Sequence, residues 1–332
     1  MAFVQTSGVN FTLDGQRWVP IGGATYGYYG SNAAFANRVA AARVVGFNIL
    51  RYINYARTGE YPDYYDPTAG AEFNETIWAR MDYGVDQARL AGIKILIDLS
   101  EIQGFSDARG YTFGDVNHLL LYKNFVEWLA VRVNTVNGRL WKNDDAIAIF
   151  AISGEVGQQG AVGSTTNYDT YHAIGGYMKA AGFQQLIHPG GQKPEQNVDA
   201  SYGHTNYSAG NYLDSPNLDC ISTHPYYTQQ NMIDLFPEMQ SYSIAKNKPW
   251  FIEEFGYTSN NDITRAALYK FVFNEGFKRG SAGGLVWNFD EGGADGYGYA
   301  GYTISLTRTP DVLKVMKAFA RAKQRCIRYP ID

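Results

Sequence analysis

The stretch Ile147-Ala-Ile-Phe-Ala-Ile-Ser-Gly-Glu155 runs from an unbroken apolar segment into a polar turn and a carboxylate. An apolar segment this short is typical of a strand rather than a helix. Trp250-Phe-Ile-Glu-Glu-Phe-Gly256 repeats the pattern, with Glu254 close behind the apolar residues. Each stretch therefore predicts a buried strand that ends in an acid, held at the mouth of a rigid scaffold.

Similar apolar runs recur along the chain, and segments with helical spacing lie between most of them. We predict strands at 18–21, 47–50, 93–97, 147–152, 185–187, 218–222, 250–252 and 284–287. We predict helices at 32–45, 75–90, 121–136, 168–181, 232–245, 263–278 and 310–325. Strand alternating with helix favours a parallel sheet. Eight such units match a single (β/α)8 TIM barrel of the α/β class.

A doubly wound sheet is the alternative fold. It is disfavoured because Gly22-Gly-Ala-Thr-Tyr-Gly27 lacks the Gly-x-Gly-x-x-Gly spacing of a nucleotide-binding turn. Residues 11–18 predict a β-hairpin with Asp14-Gly15 at its turn. With no linker or repeat in view, we expect residues 1–332 to form a single catalytic domain, in which residues 1–18 close the barrel bottom.

Composition and charge exclude several classes of protein. Hydrophobic residues make up 45% of the chain and charged residues 18%, which is typical of an ordered globular protein. The net charge is -4, and no basic cluster is longer than residues 321–328, so we expect no nucleic-acid or membrane partner. Residues 1–6 lack the regions of a signal peptide, and no apolar stretch reaches the ~20 residues of a membrane span.

Metal, cofactor and disulfide signals are weak. Cys220 and Cys326 are the only cysteines and are expected to be unpaired thiols. The histidines at 118, 172, 188 and 204 show no paired metal-ligand spacing, and the acidic loop 290–296 lacks EF-hand spacing. Lys94 lies mid-strand with no partner that would suggest a Schiff base. We therefore expect no metal and no cofactor.

Polar and aromatic residues collect at the predicted strand ends, where TIM-barrel active sites lie. They are Arg51 after the second strand, Glu155 after the fourth, His224 and Tyr226 after the sixth, Glu254 after the seventh and Trp287 at the end of the eighth. Ionisable groups are costly to bury unpaired, so their convergence on one face predicts a site rather than a core. Tyr26, in a tyrosine-rich loop after the first strand, adds a flat ring suited to a flat ligand.

Two carboxyl groups about 5–5.5 Å apart are the machinery of retaining glycosidases. Glu155 and Glu254 could approach that distance across a barrel mouth, since glutamate side chains are long. Arg51 and the hydroxyl of Tyr226 would favour the ionised form of Glu254. Partial burial beside that negative charge would keep Glu155 protonated. Trp287 would give a sugar ring an apolar surface to stack on.

Longer motifs run through the whole chain. They are Leu13-Asp-Gly15, Gly46-Phe-Asn-Ile-Leu-Arg51, Tyr122-Lys-Asn-Phe-Val126, Arg132-Val-Asn-Thr-Val-Asn-Gly138, Lys142-Asn-Asp-Asp-Ala-Ile147 and Gly284-Leu-Val-Trp287. By these motifs the chain resembles glycoside hydrolase family 5, in the clan of retaining β-glycosidases, and most of all its endo-β-1,4-mannanases. The resemblance implies that Glu155 is the acid/base. It also implies that Glu254 is the nucleophile, because Glu254 rather than Glu253 directly precedes the aromatic-glycine pair Phe255-Gly256.

The resemblance also implies roles around the two acids. His224-Pro-Tyr226 is similar to the family's His-x-Tyr motif, which binds substrate and orients the nucleophile, and Trp287 resembles the platform under the sugar at the cleaved bond. One position departs from the family pattern. Gly154 stands where the family usually has an asparagine that donates to the sugar 2-hydroxyl, and Val156 replaces the usual proline.

Together these features predict a retaining endo-β-glycosidase that hydrolyses a β-1,4-linked mannan-type polysaccharide through a covalent glycosyl-enzyme intermediate. We expect it to be an extracellular monomer, secreted or acting at a surface, whose partner is an oligo- or polysaccharide. A β-glucanase or transglycosylase of the same fold remains open, since Gly154 puts substrate choice in question. A non-catalytic carbohydrate-binding barrel is the alternative from a different class.

Overall fold

The computed structural model describes residues 2–25, 31–53, 75–100, 102, 106–107, 109–156, 165–191, 214–226, 229–259, 261–290 and 301–328. Its strands are β1 (Gln5–Ser7), β2 (Asn10–Leu13), β3 (Gln16–Trp18), β4 (Ile21–Thr25), β5 (Ile49–Ile53), β6 (Lys94–Asp98), β7 (Ile147–Ala151), β8 (Leu186–His188), β9 (Ile221–Thr223), β10 (Trp250–Ile252) and β11 (Gly284–Val286). Its helices are α1 (Asn32–Val45), α2 (Glu75–Ala91), α3 (Val116–Val131), α4 (Thr166–Ala180), α5 (Gln229–Lys246), α6 (Asp262–Lys278) and α7 (Pro310–Arg328).

Eight parallel strands, β4 to β11, form the central sheet. Their order is β8-β7-β6-β5-β4-β11-β10-β9. Strands that follow one another in the chain pair side by side, the first strand β4 pairs with the last strand β11, and β8 and β9 form the two ends of the sheet. The two ends of the sheet meet where the backbone N–H of Asp219, just before β9, donates to the carbonyl of Ile187 on β8 at 2.7 Å. The (β/α)8 TIM barrel predicted from the alternating pattern is confirmed.

The first barrel strand differs from the prediction of 18–21. Trp18 ends β3 of a separate small sheet, and β4 begins only at Ile21. Pro20 lies between them and has no N–H to give to a strand ladder. The predicted strand was placed too early because Gly22 and Gly23 carry no strand propensity. Glycine is required there, since a Cβ on Gly22 would overlap with the carbonyl oxygen of Ile49 on β5.

The third helix also differs from its predicted range of 121–136. It begins earlier, where Asp115 caps α3 by accepting hydrogen bonds from the backbone N–H groups of Asn117 and His118. It ends at Val131, after which the chain is extended at Arg132. Gly138, two residues past the predicted end, adopts a φ of +72° in the turn that follows. Helical spacing of apolar residues continued past the true end and misplaced the boundary.

A three-stranded antiparallel sheet of β1, β2 and β3 precedes the barrel. The β2–β3 turn follows the prediction, with positive φ at Asp14 and Gly15, as a tight hairpin turn requires. Phe11 of β2 is fully buried and packs edge-on against Phe251 of β10, with ring centroids 5.8 Å apart. Phe11 belongs to the same apolar cluster as Ile49, the first residue of β5. The small sheet therefore packs against the barrel core at the N-terminal ends of the strands.

The segment that leads into β7 is anchored to α2. Arg132 pairs with the buried Asp82 at 2.9 Å, and its guanidinium lies over the rings of Trp78 and Trp128. The indole N–H of Trp141 donates to Asp82 at 2.7 Å. These contacts fix the approach to the strand that carries Glu155. Within the described residues, we find no helix with the length and hydropathy needed to cross a bilayer.

Replacing Phe11 by alanine tests whether the small sheet and the barrel unfold together. Phe11→Ala should lower the free energy of unfolding by about 3–5 kcal/mol, because it empties a large buried site. Urea denaturation followed by tryptophan fluorescence and by far-UV circular dichroism would measure this. Ile263→Ala, at a side chain 70% exposed, is the control and should change little. A separate small transition in Phe11→Ala, with the main midpoint unchanged, would contradict the prediction.

Candidate active site

Arg51, in the middle of β5, carries the central positive charge of the site. Its buried guanidinium pairs with Asp98 at the end of β6 and with Glu254 after β10, and its Nε lies 3.0 Å from Oε1 of Glu253. Burial alone would lower the pKa of Arg51, but the charges of Glu253, Glu254 and Asp98 raise it well above its ordinary value. Arg51 is therefore a permanent cation that faces three acids.

Glu254 is held at both carboxylate oxygens. Its Oε1 accepts from Arg51, and its Oε2 accepts from the hydroxyl of Tyr226 at 2.7 Å. Burial and the nearby charge of Glu254 raise the pKa of Tyr226 well above its ordinary value, so the hydroxyl remains a proton donor. With a side chain only 8% exposed, Glu254 has little freedom to rotate away from this position.

Glu155 stands across the barrel mouth from Glu254. Its backbone has a φ of +52°, in the left-handed region that few residues other than glycine adopt, and its N–H donates to the carbonyl of Gly191 at 2.9 Å. Its side chain is 28% exposed, so it lies nearer to solvent than Glu254 does. One carboxylate oxygen of each glutamate lies within 4.8 Å of the other. This spacing suits two acids that act on the same bond.

His224, just after β9, lies among three carboxylates. Its Nδ1 is 2.9 Å from Oε1 of Glu155 and 3.5 Å from Oε2 of Glu254, and its Nε2 is 3.4 Å from Oε2 of Glu253. Burial would lower the pKa of His224, but the charge of Glu254 and the hydrogen bonds to Glu155 and Glu253 raise it to about 10. The ring is therefore a cation at neutral pH.

Glu253 is a site residue that the sequence analysis set aside. It is fully buried, accepts from the hydroxyl of Ser222 at 2.5 Å, and lies 3.4 Å from Nε2 of His188. Burial would raise the pKa of Glu253, but Arg51 and His188 lower it well below its ordinary value. The available signal in the sequence was the pair of adjacent acids, Glu253 and Glu254, directly behind a buried strand.

The segment that follows β8 lies against the ring of His224. A Cβ on Gly191 would overlap with the ring of His224, so glycine is needed for this close approach. The same segment supplies the carbonyl that accepts from the N–H of Glu155. No sequence pattern indicated a role for the fifth barrel strand, although β8 contributes His188 and the segment after it contributes Gly191.

Trp287 lies directly after β11, and its N–H donates to the carbonyl of Phe255 at 2.7 Å. Its ring packs in a small cluster with Ala24, Tyr226 and Tyr302. The structure thus brings together Arg51, Glu155, His224, Tyr226, Glu254 and Trp287 of the predicted set. Tyr26, the remaining predicted residue, lies outside the described residues.

The group of Glu155, His224 and Glu254 meets the distance requirement for a metal site. However, both oxygens of Glu254 already accept hydrogen bonds from Arg51 and Tyr226, and the Arg51 guanidinium is a positive charge beside the group. The donor set therefore suits proton transfer better than metal binding. Asp290, the first residue of the acidic stretch 290–296, is buried and forms an ion pair with Arg38 at 2.9 Å.

Comparison with known proteins gives relatives that cover most of the chain. A family model, Cellulase (glycosyl hydrolase family 5), matches residues 7–291. Mannan endo-1,4-beta-mannosidase 1 from Oryza sativa subsp. japonica is 24% identical over 388 residues, covering 97% of this chain and 88% of that protein. Probable mannan endo-1,4-beta-mannosidase A from Aspergillus clavatus is 25% identical over 313 residues, covering 87% of this chain and 81% of that protein.

The fold is also found among solved structures. The endo-1,4-beta-mannanase from Rhizomucor miehei aligns with a TM-score of 0.82 at 19% sequence identity, covering 97% of this chain and 100% of that chain. The Glycoside Hydrolase Family 5 Mannosidase from the same organism aligns with a TM-score of 0.75 at 16% sequence identity, covering 98% of this chain and 99% of that chain. Since the family model matches most of the sequence, the chain belongs to glycosyl hydrolase family 5.

Proposed function

We propose that the protein is a retaining endo-β-1,4-mannanase that works by double displacement. The observation that carries this proposal is the approach of Glu155 and Glu254, whose carboxylate oxygens lie within 4.8 Å of one another at the barrel mouth. Retaining enzymes hold their two carboxyl groups about 5–5.5 Å apart, whereas inverting enzymes leave room for a water between them. Mannan is the substrate class because the relatives that span the chain are mannan endo-1,4-beta-mannosidases.

Glu254 is the proposed nucleophile. Its two oxygens accept hydrogen bonds from Arg51 and Tyr226, so the carboxylate is oriented before a substrate arrives. It attacks the anomeric carbon and forms a glycosyl ester as the bond from that carbon to the leaving oxygen breaks. Arg51 cannot follow the reacting oxygen out of the site, since its remaining nitrogens are bound to Asp98 and Glu253.

Glu155 is the proposed acid/base. In the first step its carboxyl gives a proton to the leaving oxygen, and in the second step its carboxylate takes a proton from the attacking water. Formation of the ester removes the negative charge of Glu254, which lies 3.5 Å from His224. The His224 cation is then left facing Glu155 at 2.9 Å, which favours the carboxylate that the second step needs.

Trp287 is the proposed stacking surface for the sugar next to the cleaved bond, with Tyr226 and Tyr302 beside it. Tyr26 is a further candidate for substrate contact on the sequence prediction alone. We propose that residues 1–332 act as one catalytic domain, and that a single chain is sufficient for activity. Because a polymeric β-glycan is too large to enter a cell, we also propose that the enzyme acts outside it.

A β-1,4-glucanase is the second candidate function. It is favoured by the name of the matching family model, Cellulase, which covers residues 7–291. Mannose and glucose differ only in the configuration at the second carbon, so the same two glutamates would serve either polymer. A mannanase and a glucanase would therefore differ in the protein groups that contact the 2-hydroxyl of the sugar.

Substrate profiling tests the function and the nucleophile together. Wild-type protein should release reducing ends from mannan and glucomannan faster than from mixed-linkage glucan, and Glu254→Ala should reduce release by about a thousandfold or more. Glu127→Ala, at an exposed glutamate on α3, is the matched control and should retain wild-type activity. Equal release by wild type and Glu254→Ala would remove the assigned nucleophile, and a preference for glucan would favour the second candidate.

The role of Glu155 can be tested with two leaving groups. Glu155→Ala should lose about a hundred- to ten-thousandfold in cleavage of mannan, because the poor leaving oxygen needs a proton. Cleavage of a dinitrophenyl mannobioside should lose much less in its first step. Added azide should then yield a glycosyl azide with retained configuration, detected by NMR. Equal losses on both substrates, with no azide product, would argue against this role.

The charge of His224 predicts a pH dependence of stability. Its pKa of about 10 in the folded protein exceeds the ordinary value of 6.5, so the folded state holds a proton that the unfolded state releases. This stabilisation is complete below pH 6.5 and is lost as the pH rises towards 10. Between pH 6.5 and 8, the free energy of unfolding of wild type should fall relative to that of His224→Gln by about 1 kcal/mol per pH unit.

Urea denaturation at a series of pH values would measure this difference. Burial lowers the pKa of Lys94 to about 8, which gives an opposite slope above that pH, but Lys94 is present in both proteins and its contribution cancels in the difference. Parallel pH profiles for wild type and His224→Gln would contradict a buried His224 cation.

A further inference from the structure

Gly154, directly before Glu155, leaves a space that another residue fills. A Cβ on Gly154 would lie 2.6 Å from Oγ of Ser100, which follows β6, and 3.5 Å from Oδ2 of Asp98. It would also lie 3.7 Å from Nη2 of Arg51. The hydroxyl of Ser100 therefore stands where the side chain of residue 154 would otherwise begin.

Asp98 fixes the orientation of this hydroxyl. Its Oδ1 accepts from both the backbone N–H of Ser100, at 2.7 Å, and the Ser100 hydroxyl. Its Oδ2 accepts from Arg51, which also binds Glu254. Ser100 is thus joined through two buried charged groups to the nucleophile, while its oxygen lies against the backbone that carries the acid/base.

Of these groups, Ser100 is the one that a ligand can reach. Asp98 is fully buried and Arg51 is 1% exposed, whereas Ser100 is partly exposed. Because its proton is directed at the Asp98 carboxylate, the lone pairs of its oxygen remain available. A hydroxyl that donates to an anion is a stronger acceptor than a free hydroxyl. Ser100 therefore offers an acceptor, not a donor, to a bound sugar.

We propose that Ser100 accepts a hydrogen bond from the 2-hydroxyl of the sugar attacked by Glu254. This inference rests on the proposed glycosidase function and adds a residue to it. The second carbon is bonded to the reacting carbon, so its hydroxyl must lie beside the two carboxylates. As positive charge develops on the reacting carbon, the 2-hydroxyl becomes more acidic and its bond to Ser100 strengthens. The interaction thus favours the transition state over the bound substrate.

The test pairs a variant of Ser100 with a change in the substrate. The substrates are a nitrophenyl β-mannobioside and the same glycoside without the 2-hydroxyl on the sugar next to the cleaved bond. Ser100→Ala should lower kcat/KM for the first substrate by about tenfold, and mainly through kcat. It should change kcat/KM for the 2-deoxy substrate by less than about twofold, because there the bond is already missing.

Gly154→Ala provides a second route to the same loss. Its methyl group would push the Ser100 hydroxyl away from its position, so this variant should reproduce the substrate-dependent loss while the serine remains. Ser241→Ala, at an exposed serine of α5, is the matched control and should match wild type on both substrates. Thermal unfolding of each variant would show that it is folded.

The outcomes separate the inference from the function on which it rests. Equal losses on both substrates in Ser100→Ala would assign the serine a structural role and overturn the inference alone. Wild-type activity of Ser100→Ala on the 2-hydroxy substrate would overturn it as well. Failure of the wild-type protein to cleave either glycoside or mannan would overturn the proposed function and the inference together.

Discussion

The buried guanidinium of Arg51 is the interaction on which the rest of the site depends. Three carboxylates from two different strand ends meet it, and each of them would be costly to bury without a cation. A planar group with five donors can satisfy several acids at fixed angles, which a lysine cannot do. Barrel closure therefore orients Glu254 as a consequence of folding, before any substrate is bound.

A second cation, His224, lies beside both Glu155 and Glu254, which differ in their contacts and burial. Glu254 receives hydrogen bonds at both oxygens and is 8% exposed, whereas Glu155 is contacted by His224 at one oxygen and is 28% exposed. The buried Glu253 holds the far side of the His224 ring. Similar side chains thus differ in burial, which is how one fold can supply the two proposed roles of nucleophile and acid/base.

The sequence allowed the barrel to be predicted, since period and turn chemistry are local and repeat eight times. It also located the strand-end residues, because a polar residue behind a buried strand is a local signal. It placed the first barrel strand too early, because Gly22 of β4 is required for close contact with β5 and has no strand propensity. It did not give Asp98, Glu253 or His188 a role. Their importance comes from partners far away in the chain, and no local pattern distinguishes them from acids or histidines with structural roles.

Glycines allow the strand ends that carry Glu155 and Glu254 to approach each other. A Cβ on Gly191 would overlap with His224, and one on Gly256 would lie 2.8 Å from both the carbonyl oxygen of Trp287 and the ring of Tyr302. A Cβ on Gly154 would likewise lie 2.6 Å from Oγ of Ser100. Gly191 lies beside His224 and Gly256 lies beside Tyr226, which contact Glu155 and Glu254 respectively, so a side chain at either glycine would push strand ends apart. Retaining chemistry needs two carboxyl groups about 5 Å apart. The strand ends that carry them can approach each other this closely only where glycine leaves out the side chain.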